Sequence, residues 1–218
     1  MRLVLPRLYV ILDAGLLTTS HLAFTEEMAR AGVRLLQYRN KAASSATLLR
    51  NSQQIAEICA AKGITFVVND RADVALLAGA DGVHVGQDDL PVEHARKVVG
   101  SSKYVGISTH NSEQFQRAAG SSADYIAVGP IFSTTSKENP DTVVGFELLR
   151  QVRALTKKPI VAIGGITLDR AAQVIEAGAD CVAVLSDIMK AADPSKRARQ
   201  YLEILGPAEP EGNRGHQE

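Results

Sequence analysis

One unit recurs about eight times along this chain: a short apolar run stops abruptly on charged, amide or hydroxyl residues, and an amphipathic stretch follows. The run 8–12 ends on Asp13, and Leu35-Leu36 leads into Gln37, Arg39 and Lys41. The run 65–68 ends on Asn69 and Asp70, while 83–86 leads to Gln87, Asp88 and Asp89. Further runs at 104–107, 125–128, 160–163 and 181–185 lead to Ser108 and His110, to a polar loop from Thr134, to Gly164-Gly165 and to Ser186. Such short runs, rich in Val, Ile, Leu and Tyr, read as strands. Between them, a period near 3.6 predicts helices over 23–31, 45–62, 72–78, 91–99, 111–119, 146–156, 168–177 and 194–204. Strict alternation of this kind requires parallel strands with right-handed crossovers. Parallel strands end on one face, so the repeat gathers scattered polar residues into one site.

Eight such units in 218 residues close most naturally into a (β/α)8 barrel, near the lower end of that fold's size. An open doubly wound sheet would normally carry a glycine-rich turn after its first strand, and Asp13-Ala14-Gly15-Leu16 matches that poorly. The expectation is one domain over 1–205 and a disordered tail over 206–218, where apolar periodicity stops. Gly32, Gly79, Gly120 and Gly178 each follow the last apolar position of a helix, where a left-handed glycine ends it. Pro91 and Pro194 suit first helical turns, which need no donor there.

Bulk properties exclude several classes. Apolar residues make up 45% of the chain, enough for a sizeable core, and 24 basic residues balance 24 acidic ones. No general attraction for nucleic acid or anionic lipid follows from zero net charge. No apolar run approaches the roughly 18 residues of a membrane span, and residues 1–9 are too short a stretch for a secretory signal. A cytoplasmic protein with neither nucleic-acid nor membrane partners is expected. Cys59 and Cys181 lack metal-type spacing and read as buried thiols. Apolar outer-helix positions suit either barrel packing or contact with a second copy, so a homo-oligomer is allowed.

Three strand ends carry chemistry. In Gln37-Tyr38-Arg39-Asn40-Lys41, alternate residues of extended backbone point one way, so an amide and two cations converge. That set suits a polyanion, since Arg grips phosphate oxygens with paired hydrogen bonds; a solvated basic loop is the plain alternative. Asp70 and Asp89 end neighbouring strands, and two carboxylates beside a phosphate site are what Mg2+ prefers. Each also suits a helix N-cap. The stretch from Gly129 to Pro140, with Phe132, Thr134, Thr135, Ser136 and Lys137, reads as a long binding loop. Gly164-Gly165 and Leu185-Ser186 stand where barrels hold a phosphomonoester on backbone N–H groups, although a glycine pair also makes a simple tight turn. Two anion sites on one face imply two phosphorylated ligands, or one with phosphates at both ends.

These segments resemble the thiamine-phosphate synthase family from about Leu8 to Ile204. The motifs are Gln37-x-Arg39-x-Lys41, Asn69-Asp70, His84-Val-Gly-Gln87-x-Asp89, Gly106-Ile-Ser108-x-His110, Gly129-Pro-Ile-Phe132 with Thr134-x-Ser136-Lys137, and Ile163-Gly-Gly-Ile166. The resemblance implies Mg2+-dependent coupling of 4-amino-2-methyl-5-pyrimidinylmethyl diphosphate to a thiazole phosphate, with one Mg2+ per active site. It implies that Gln37, Tyr38, Arg39, Asn40, Lys41, Asn69, Ser108 and Lys137 bind the pyrimidine diphosphate. Arg39, Lys41, Ser108 and Lys137 would be catalytic among these, and Asp70 and Asp89 would bind the metal. Thr134, Thr135, Ser136, Gly165, Leu185 and Ser186 would hold the thiazole phosphate; Ser136 stands where the family more often has threonine. Pyrophosphate would leave once its charge is neutralised, and the thiazole nitrogen would capture the pyrimidinylmethyl cation without a protein nucleophile. His84 reads as a structural hydrogen bonder inside a strand, and His110 as a candidate substrate contact. Three rivals remain. A thiazole tautomerase of the same fold would use a histidine near the position of Pro130, where this chain has no proton-transferring group. A Schiff-base aldolase needs a lysine within a strand, and a non-catalytic phosphate binder has no need of both aspartates.

Overall fold

In the computed structural model, residues 5–134 and 142–208 are described. Eight strands follow one another in chain order: β1 (Leu8–Asp13), β2 (Leu35–Arg39), β3 (Thr65–Asn69), β4 (Gly82–Val85), β5 (Tyr104–Thr109), β6 (Tyr125–Val128), β7 (Ile160–Ile163) and β8 (Cys181–Val184). Each pairs in parallel with the next and β8 returns to β1, so the expected barrel is closed. The helices among the described residues are α1 (His21–Ala31), α2 (Ser45–Lys62), α3 (Ala72–Leu77), α4 (Val92–Val99), α5 (Ser112–Gly120), α6 (Gly145–Arg153), α7 (Ala171–Glu176), α8 (Ser186–Met189) and α9 (Pro194–Leu205). None is long and apolar enough to cross a membrane. Residues 135–141 and 209–218 lie outside the described set, and with them most of the polar loop and of the expected tail.

Alternation along each strand explains why the apolar runs are continuous. Leu8, Val10 and Leu12 pack outward with Phe24 and Met28 of α1, whereas Tyr9 and Ile11 join Leu35, Val67, Tyr125, Val161 and Cys181 inside the barrel. Both faces of every strand are therefore buried. Cys59 packs in the outer layer and Cys181 in the inner one, and both are free thiols. Burial pushes the Cys59 thiol up to about 12, which keeps it protonated and inert.

Helix ends mostly follow local chemistry. Ser20, Ser44 and Asn111 accept from the backbone three residues on and start α1, α2 and α5; Asp193 does the same ahead of Pro194. Gly32 and Gly63 close helices in the left-handed region. Three expectations shift. Gly120 is the last residue of α5 rather than a left-handed cap, because Ser121 leaves the helix in extended backbone. Pro91 caps α4 instead of lying in its first turn. The stretch 168–177 divides into a 3-10 turn (Leu168–Arg170) and α7, and the short α8 intervenes before α9.

At the face opposite the strand ends, one device recurs three times. Asp81, Asp124 and Asp180 precede β4, β6 and β8. Each accepts from the backbone N–H of the preceding strand, at Phe66, Val105 and Ile160 (2.7, 2.7 and 2.8 Å), and returns its own N–H to the same residue's carbonyl. Arg96 of α4 pairs with Asp124 and reaches the carbonyls of Lys103 and Ser122. Arg153 of α6 repeats this with Asp180 (2.6 Å) and the carbonyls of Thr156 and Lys158. The strands are thus stitched in pairs, and these charges serve the barrel rather than the site. Asp180→Ala strands the buried Ile160 N–H and the Arg153 guanidinium together. A loss of about 2–4 kcal/mol is expected, read as a lower urea midpoint at unchanged slope. A loss below about 0.5 kcal/mol would mean that water replaces the carboxylate.

Candidate active site

Over the strand ends lies a cavity whose wall includes Gln37, Arg39, Asn69, Ser108, Thr134, Gly165, Leu185 and Ser186. Eight residues singled out in the sequence, from six parts of the chain, therefore meet around one space. Arg39 ends β2 in register with Asp13 of β1, whose carboxylate holds its guanidinium in an ion pair. Asp13 is itself fixed, accepting from Gly15 N–H (2.8 Å). A buried carboxylate gripping one edge of Arg39 fixes the direction in which the remaining donors face.

The two aspartates follow the ends of β3 and β4 and form a cluster with Lys41, outside the cavity's own lining. Asp70 is the one non-glycine residue among those described with positive φ (65°), and its N–H donates to the His84 carbonyl at 2.8 Å. That left-handed turn between β3 and α3 brings its carboxyl against Asp89. Burial first, and then the facing Asp89 carboxyl, hold Asp70 above the ordinary carboxylate range, with Lys41 pulling the other way. Lys41 Nζ lies 3.3 Å from Asp70 Oδ2, and Asp89 accepts from Gly86 N–H at 2.7 Å. Neither aspartate is a helix N-cap: those positions belong to Arg71 and Pro91. No cluster of three or more acidic, His or Cys ligands exists among the described residues. Two carboxyls set against each other fit a hard cation that takes few protein oxygens and fills the rest from water and substrate.

On the far side, Gly164 (φ 98°) and Gly165 (φ 63°) dock against the loop after β6, with Ile131 and Phe132 N–H donating to the Ile163 and Gly164 carbonyls. A Cβ on Gly165 would meet the Ser133 carbonyl oxygen at 2.4 Å, so the close approach demands glycine. Arg170 lies over the Phe132 ring at 4.7 Å and Phe132 meets Phe146 edge-on, which anchors the base of that loop.

Not every expected residue reaches the cavity. Tyr38 packs in the outer layer, its hydroxyl accepting from Asn40 and from Asn51 of α2 (3.1 and 3.0 Å). With Gln37 and Arg39 inward, the two-residue period sends Tyr38 and Asn40 the other way. Thr135, Ser136 and Lys137 lie outside the described residues. The sequence reading gave no role to Asp13, although its position at the end of the first apolar run was the available signal. Tyr9 and Tyr125 were also missed. His84 is buried and hydrogen-bonds through both ring nitrogens, to Tyr125 and Ser108; His110 borders the cavity with Nδ1 2.6 Å from the Gly129 carbonyl.

Fold and site define a (β/α)8 barrel with a cavity at the C-terminal ends of its strands, where enzymes of this fold carry their active sites. The family model described as "Thiamine monophosphate synthase" matches residues 8–188. Thiamine-phosphate synthase of Koribacter versatilis (strain Ellin345) is 51% identical over 93% of this chain and 97% of that protein. Its counterpart in Chloroflexus aurantiacus is 45% identical, over 91% and 92%. The structure of thiamine phosphate pyrophosphorylase from Pyrococcus furiosus superposes with a TM-score of 0.83 at 32% identity, covering 91% of this chain and 95% of that one. The chain belongs to the thiamine monophosphate synthase family, and is a transferase.

Proposed function

We propose that this protein couples 4-amino-2-methyl-5-pyrimidinylmethyl diphosphate with a thiazole phosphate, giving thiamine phosphate and pyrophosphate. The observation that carries the reading is a cavity that Arg39 and Asn69 line together with the Gly164-Gly165 turn, with Asp70 of the Lys41–Asp70–Asp89 cluster following directly on Asn69 in the chain. Arg39, oriented by Asp13, and Lys41 bind the diphosphate and take up the charge that grows as it leaves. Asp70 and Asp89 would hold Mg2+, which supplies further neutralisation of the pyrophosphate when bound. Gln37, Asn69 and Ser108 line the space between and position the pyrimidine. Gly165, Leu185 and Ser186 border the other end and receive the thiazole phosphate. The C–O bond to pyrophosphate breaks, the 4-amino group of the pyrimidine delocalises the cation, and the thiazole nitrogen donates its electron pair. The apolar wall of Ile11, Val161 and Ile163 keeps water from capturing that cation first. The cytoplasm supplies both kinds of substrate, and no nucleic acid or membrane is needed.

Incubating the purified protein with both substrates, with and without Mg2+, should yield thiamine phosphate and pyrophosphate in equal amounts only when the metal is present. Arg39→Ala should lower that turnover by about 10²–10³-fold. Absence of product at saturating substrate and Mg2+ would refute the reading.

A further inference from the structure

Beneath the cavity, five side chains from five strands form one hydrogen-bonded chain across the barrel. Gln37 Nε2 donates to the Tyr9 hydroxyl at 2.8 Å, and the Tyr9 and Tyr125 hydroxyls lie 3.2 Å apart. The Tyr125 hydroxyl is 3.1 Å from His84 Nδ1, and His84 Nε2 is 2.9 Å from Ser108 Oγ. Tyr9 and Tyr125 are fully buried, and burial pushes both phenols far above their ordinary range, so each remains a neutral O–H group.

Counting hydrogens gives the chain a direction. Tyr9 accepts from Gln37, and its one other hydrogen-bond partner among the described residues is the Tyr125 hydroxyl. The arrangement that leaves no buried O–H unpaired therefore has Tyr9 donating to Tyr125. Tyr125 then donates to His84 Nδ1, which must be the bare nitrogen of a neutral imidazole. The ring proton therefore sits on Nε2 and donates to Ser108 Oγ. Ser108 has accepted, and its hydroxyl hydrogen is left to face the cavity that the residue lines.

The strand register shows why this arrangement is built in. Gly106 pairs with His84 on one side and with Tyr125 on the other. With no side chain on the central strand, the His84 and Tyr125 rings stack across the gap, 5.5 Å between centroids and 25° between planes. A Cβ on Gly106 would fall 2.1 Å from Tyr125 Cζ. Two residues on, Ser108 points to the same side.

We propose that Tyr9 and Tyr125 are positioning residues that lock His84 as its Nε2–H tautomer and thereby present Ser108 as a hydrogen-bond donor to the bound pyrimidine diphosphate. The effect on turnover rests on the function proposed above; the tautomer does not. The test uses full-length protein carrying 15N-labelled histidine, with His84 assigned by comparison with His84→Asn. Free wild-type protein should show His84 with a bare Nδ1 and a protonated Nε2. Tyr125→Phe should release it into a mixture of tautomers and lower kcat about tenfold, with KM for both substrates within about twofold. Tyr9→Phe, one step further away, should do the same more weakly, and supplies the result if Tyr125→Phe folds poorly. A wild-type His84 protonated on Nδ1 would overturn the proposal, as would unchanged kcat in a Tyr125→Phe protein whose tautomer has been lost. Wild-type protein with the expected tautomer but no coupling activity would uphold the relay and refute the proposed reaction instead.

Discussion

Asp70→Asn is expected to lower coupling turnover by about 10²–10³-fold while folding stability stays level or rises slightly. Asparagine is the informative replacement because Asp70 holds φ at 65°, a region that Asn tolerates and Ala does not without cost. Shape and backbone are then preserved, and only the charge goes. That charge is unfavourable in the free protein: burial and the facing Asp89 both raise the carboxyl, and only Lys41 favours its ionised form. Removing one of two like charges relieves the fold while taking away half of the proposed metal-binding pair. A residue retained for structure behaves the opposite way, losing stability and sparing turnover. Titrating Mg2+ separates the contributions further, since the mutant should need more metal for its residual rate. Normal turnover at ordinary Mg2+ would remove the metal role from Asp70.

Much of this site was legible because barrel geometry turns a one-dimensional pattern into a face. Once strands are parallel, Arg39, Asn69, Ser108, Gly165 and Ser186 must approach one another although they are scattered along the chain. The same two-residue period should have separated Gln37 and Arg39 from Tyr38 and Asn40; taking all five consecutive residues as ligands ignored it. Other features depend on register between strands, which sequence alone does not fix. Asp13 holds Arg39 only because those two residues are paired. The Tyr9–Tyr125 contact joins strands far apart in the chain, across the barrel interior. The stitched carboxylates at the opposite face were half visible, since Ala-Gly-Ala-Asp recurs at 78–81 and 177–180, but their target is the N–H of a neighbouring strand. Helix ends differed where a competing cap won, as at Gly120 and Pro91.

Gly106→Ala should be among the most damaging single-methyl changes in the chain, with an expected loss of about 3 kcal/mol or more. The added carbon would stand 2.1 Å from Cζ, 2.4 Å from Cε2 and 2.5 Å from the hydroxyl oxygen of Tyr125, well inside contact distance. The ring has nowhere to go: it is 2% exposed, stacked on His84 and edge-on to Tyr9. Interiors are packed at crystal-like density, so the clash must be absorbed by strand displacement or by ejecting an aromatic side chain. The cause can be isolated by a double-mutant cycle. Tyr125→Leu removes the ring that the new methyl meets, so Gly106→Ala should cost much less in that background than alone, giving a coupling energy of about 1–3 kcal/mol. Urea denaturation of the four proteins measures it, and strict additivity would show that the glycine is needed for another reason. The double mutant would also lack the hydroxyl that orients His84. It should therefore recover stability without recovering turnover, which separates the volume of the Tyr125 ring from the hydrogen bond at its tip.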